Sequence, residues 1–85
     1  MFVSVHHSIS NPAEFWRAIE RIEADGAPSS RVRSILRNDS GDRAVILWEA
    51  ESMDSARQFV ESLLGQFSEN EYEPVKSAKS WGITP

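Results

Sequence analysis

An α+β fold running strand, helix, strand, strand, helix, strand is predicted by three patterns in this 85-residue chain. Residues 2–9 alternate with a period of two, and residues 31–37 and 43–50 flank a turn as a hairpin does. Two capped amphipathic segments follow the first and third of these runs. A short extended segment at 70–75 closes the series. That order is the split β-α-β, ferredoxin-like unit, an antiparallel four-stranded sheet with two helices on one face. The chain is read as one domain, 1–85, with a tail at 76–85.

In the first strand Val3, Val5, His7 and Ile9 share one face, and Phe2, Ser4, His6 and Ser8 share the other. Asn11 then caps a helix over 12–22, with Pro12 at its first position and Glu14 placed for a capping-box carboxylate. Phe15, Ile19 and Ile22 form its apolar stripe. The breaker cluster at 25–30 ends it. Asn38-Asp39-Ser40-Gly41-Asp42 makes the hairpin turn, with Gly41 free to take a positive φ. Residues 44–48, Ala-Val-Ile-Leu-Trp, are the most continuous apolar run in the chain. Such a run suits a central strand buried on both faces. Ser52 caps the second helix, where Ala56, Phe59, Val60, Leu63, Leu64 and Phe67 recur at helical spacing. In the last strand, Pro74 and its glutamates suit a sheet edge, where a missing donor is harmless and charge deters aggregation.

Composition narrows the function classes. A net charge of −4 opposes nucleic-acid binding, which needs a basic surface to neutralise phosphates. No stretch reaches the roughly 20 apolar residues of a membrane span, and no basic, apolar leader opens the chain. The expectation is a cytoplasmic protein without membrane contact. With no cysteine, disulfides, thiolate catalysis and cysteine-ligated metal centres are excluded. No phosphate-binding glycine loop, nucleophile elbow or metal motif is present, so no cofactor is assigned and no residue set dictates a reaction. Two helices cover only one side of a four-stranded sheet. The two-sided apolar strand at 44–48 therefore predicts a homodimer through the opposite face. Trp81 and Ile83 predict that the tail is ordered and buries Trp81 against the partner subunit.

Several residues are candidates for chemistry, each with a plain structural alternative. His6 and His7 leave a strand on opposite faces and cannot chelate one ion within a subunit. His7 joins the helix-covered core in this register, and His6 lies with Ser4 on the face a dimer encloses. A pocket histidine can serve as base, haem-facing group or metal ligand; the alternative is a hydrogen-bonded interface residue. Glu49, at the end of the apolar strand, is either a buried proton acceptor or a solvated strand end. His6 and Glu49 belong to opposite ends of an antiparallel pair. With His7 they are the only metal candidates, and a metal site normally has three or four ligands. Arg31, Arg33 and Arg37 are read as alternating with Ile35 on one face, an anion-binding stripe or solvated edge charges. Trp48, Tyr72 and Trp81 either line a pocket for a planar ligand or fill core and interface.

Val5-His6-His7, Asn11-Pro12 with Phe15-Trp16, Leu47-Trp48-Glu49-Ala50 and Asn70-Glu71-Tyr72 together resemble the dimeric α+β barrel superfamily, including small uncharacterised bacterial proteins. The resemblance covers nearly the whole chain. A more distant similarity, in the strand ending Leu-x-Glu-Ala, is to small nickel-binding barrel proteins. What the resemblance implies is a homodimer whose sheets pack face to face around a lumen. The lumen is expected to hold a small ligand against His6, Ser4, Glu49, Trp48 and Tyr72. Two alternatives follow from the superfamily's range: a cofactor-independent monooxygenase or haem-degrading enzyme, and a metal-binding barrel protein. Fold membership does not choose among them.

Overall fold

The computed structural model describes residues 1–25 and 30–75. The elements are β1 (Phe2–Ile9), α1 (Pro12–Asp25), β2 (Ser30–Arg37), β3 (Arg43–Ala50), α2 (Met53–Leu64) and β4 (Ser68–Val75). They form one antiparallel sheet in the order β2-β3-β1-β4. This is the ferredoxin-like α+β arrangement expected. The apolar run of β3 is interior and the glutamate-rich β4 is an edge. The tail at 76–85, with Trp81, lies outside the described residues.

Local chemistry explains most of the boundaries. Asn11 Oδ1 accepts from the Glu14 N–H at 3.3 Å, and Ser52 Oγ accepts from the Ser55 N–H at 3.1 Å. The capping-box return by Glu14 does not form. Its carboxylate pairs with Arg17 instead, because the Asn11 N–H it would accept already donates to Phe67 O. Helix α1 runs past residue 22 to Asp25, since Glu23 and Ala24 are sound helix formers. Strand β4 begins at Ser68, two residues early, because Ser68 and Glu69 pair with Ile9 and Ser8 of β1. Gly41 takes φ +74°, and its carbonyl accepts from Trp16 Nε1 at 2.8 Å. The Arg37 guanidinium stacks 4.4 Å above that indole, so α1 is tied to the hairpin.

One face of the sheet packs on both helices. Val3, Val5 and Ile9 of β1 meet Ile46, Trp48 and Ala50 of β3, with Phe15, Ile19 and Ile22 from α1 and Ala56, Val60 and Leu64 from α2. Trp48 is fully buried at the centre. Its ring meets Phe59 edge-on at 5.8 Å and His7 at 6.5 Å.

A bulge in β2 corrects the expected arginine stripe. Val32 pairs with Trp48, but Ser34, not Arg33, pairs with Leu47. The extra residue reverses the alternation beyond it. Arg31 stays opposite Glu49, while Ile35 and Arg37 pair with Ile46 and Ala44 and turn to the helix side.

Candidate functional site

Strand alternation and the register define the face without helices. Its central row is Leu36, Val45, His6 and Glu71, and the next is Ser34, Leu47, Ser4 and Glu73. Both rows grade from apolar at β3 to acidic at β4. Leu36 is 71% exposed, an unusual position for a leucine unless something covers it. A shallow depression of about 260 Å³ lies here, with His6, Leu36, Asn38, Arg43 and Val45 among its lining residues. Apolar walls with a few polar anchors are the usual make-up of a small-ligand site.

His6 and Ser4 therefore sit together on this face, with His7 turned away. Glu49 shares the face but pairs with Phe2, four positions from His6 along β1, about 13 Å at strand spacing. Its carboxylate accepts from Arg33 Nη1 at 3.2 Å, and Arg33 also lies over the Phe2 ring. Glu49 is thus held in an ion pair near the end of its strand. Trp48 and Tyr72, expected beside His6, lie on the other face of the sheet. One small ligand does not touch them and His6 together. The parity of β3 against β1 decides this: Val3 pairs with Trp48, and both face the helices.

Under the helices lies a second polar constellation, which the sequence did not disclose. His7, 2% exposed, has Nδ1 2.6 Å from Asn70 Oδ1. Asn70 Nδ2 donates to Glu61 Oε2 at 2.7 Å, and the Tyr72 hydroxyl donates to the same oxygen. Ser68 Oγ donates to Asn70 Oδ1 at 2.7 Å. A carboxylate only accepts, so the Asn70 amide nitrogen must face Glu61 and its oxygen must face His7. His7 then carries its proton on Nδ1, which leaves Nε2 as a buried acceptor. Among the described residues, neither His7 Nε2 nor Trp48 Nε1 has a partner. Arg57 lies over the Tyr72 ring. The chain of bonds runs from the exposed Glu61 on α2 inward to β1. The signal available in sequence was the period-two set Ser68, Asn70, Tyr72. Glu61 carried none, because only tertiary packing brings α2 to β4.

Burial holds His7 below the ordinary histidine value of 6.5, against the opposing pull of its Asn70 bond and the Glu61 charge. Bonds from Tyr72 first and Asn70 second hold Glu61 below 4.5. Burial, then the bond to Glu61, pushes the Tyr72 phenol up. The unfolded chain takes up a proton at His7 before the folded one does. The His7 contribution to stability is therefore complete above pH 6.5 and falls as pH drops below it, toward the depressed folded value. Glu61 adds a further loss as pH falls below 4.5. Urea midpoints of the wild type should decline between about pH 6.5 and 5, while those of His7→Phe stay level. Parallel declines in the two proteins would remove His7 as the cause.

Among the described residues no group of three or more His, Cys, Asp or Glu side chains is placed to hold a metal ion, and no helix is long and apolar enough to cross a membrane. No protein-family model matches the chain, and no curated protein matches it.

Proposed function

We propose that this chain is one half of a two-subunit α+β barrel. Two uncovered sheet faces come together around a chamber for a small, partly apolar ligand, anchored by His6 and Ser4. The observation that carries this reading is a sheet face that none of the described residues covers. Leu36, Val45 and Leu47 lie beside the His6 imidazole and the Ser4 and Ser34 hydroxyls, and a depression at His6 is ready to be closed over. A second sheet laid on this face, about 10 Å away, would bury the exposed Leu36 and turn an open hollow into a cavity. Resemblance to the dimeric α+β barrel superfamily points the same way. Glu49, held by Arg33, belongs at the rim of such a chamber.

Sedimentation at micromolar concentration should give the mass of two chains, with dissociation and unfolding coupled. Thermal shift with haem, nickel ion and an anilinonaphthalene sulfonate dye should show a stabilising probe for the wild type that loses most of its effect on His6→Ala. A folded monomer at that concentration would overturn the barrel. A probe that stabilises both proteins equally would make His6 structural.

A further inference from the structure

Helix α2 carries a wider apolar arc than the sheet uses. Ala56, Val60 and Leu64 are its buried line. Phe59 and Leu63 lie to one side of that line, toward α1, and Leu63 is 43% exposed. With Ala18 and Ile22 of α1 and Phe67 beyond α2, they line a crevice of about 360 Å³ between the two helices. Contiguous apolar surface left open in this way marks a ligand groove or a contact site, and the volume is in the usual range for a small molecule. Phe59 packs edge-on against the buried Trp48, which ties this wall of the crevice to the core.

The polar rim decides what kind of molecule fits. It consists of Glu14, Arg21, Ser62 and Gln66. The Glu14 carboxylate is already neutralised by Arg17 at 2.8 Å, and the Ser62 hydroxyl donates to Phe59 O at 3.0 Å. Arg21 shares a face of α1 with Ala18 and Ile22 and makes no ion pair among the described residues. The crevice therefore offers one uncompensated positive charge beside an apolar bed, in a chain whose net charge is −4. A guanidinium matches a carboxylate, which it can hold by two parallel bonds. Glu14 to Ile22 covers about 12 Å of helix, so the apolar body that fits is a short one.

We infer that the crevice between α1 and α2 is a binding site for a small amphipathic carboxylate, an alkanoate or arylalkanoate. Its head meets Arg21, and its apolar body lies along Phe59, Leu63 and Phe67. The site is separate from the barrel reading: it lies on the helix side of the sheet, away from His6, and is built from one subunit.

The test is a titration of isotope-labelled protein followed through its amide resonances, with octanoate as the probe and octylammonium as its cationic counterpart. Octanoate at up to about 5 mM, where even a millimolar site fills, should move the amides of residues 14–22 and 59–67. Those of residues 4–8 and 43–47, on the other side, should stay in place. Octylammonium should bind about threefold more weakly or worse, and Arg21→Glu should reverse the order of the two probes. Leu63→Glu, at an exposed position, sets a carboxylate in the bed and should abolish the octanoate response while the circular dichroism stays native. No response, or one confined to residues 4–8 and 43–47, would overturn the crevice site. Equal binding of the two probes, or an Arg21→Glu variant without effect, would overturn the carboxylate head. Crevice amides that move with protein concentration alone would make the crevice a contact between copies and overturn the inference. A monomeric wild type, which ends the barrel reading, leaves this site standing.

Discussion

Trp48→Ala is expected to cost about 3–5 kcal/mol. A domain of this length has roughly 4–13 kcal/mol in total, so the substitution removes at least about a quarter of the stability. The indole is fully buried on a central strand, edge-on to Phe59 from α2 and His7 from β1. Truncation opens a cavity where sheet and helix meet. Trp48→Phe should behave differently. The Trp48 Nε1–H has no acceptor among the described residues, and an unpaired buried donor itself costs about 1–3 kcal/mol. Phenylalanine removes that donor and leaves a smaller void, so its loss should be less than about half that of alanine. Urea unfolding of the three proteins reads this directly. An alanine variant with an unchanged midpoint would show that the sheet–helix seam does not depend on the indole.

The second large effect belongs to Asn70. Asn70→Leu removes the acceptor for the buried His7 Nδ1–H and one donor to Glu61, at an expected cost of about 1–3 kcal/mol. Adding His7→Phe should recover much of that loss, because an apolar pair leaves no buried donor without a partner. The two substitutions are then strongly non-additive in a double-mutant cycle. Simple addition of the single losses would mean that His7 and Asn70 do not act as a unit. Ser68 and Tyr72 set the scale of the background effect, since each keeps a partner when His7 is changed.

Much of the architecture was legible because it rests on local periodicity. The valines of β1 place His7 in the core and His6 outside, and the structure has both there. Asn11, Ser52 and Gly41 act as cap, cap and positive-φ turn for reasons of short-range geometry. Arg37 is a case where local reading fails. Period-two counting assumes an uninterrupted pairing, and one extra residue at Arg33 moved every later side chain of β2 to the opposite face. Whether a strand bulges depends on how its partner twists and packs, which the strand's own residues do not encode.

Residue order alone determined the element sequence, the interior position of β3, the edge position of β4 and the presence of a histidine on each face of β1. These depend on hydrophobic spacing, proline and charge within a few residues of each other. Tertiary structure alone decided that Trp48 and Tyr72 stand on the far side of the sheet from His6, and that Glu61 of α2 meets Asn70 and Tyr72 of β4. The physical reason is the same in both cases. Which face a side chain takes, and which distant group it meets, depends on strand register and on how a helix settles against the sheet. Both are set by the packing of the whole core rather than by neighbours along the chain.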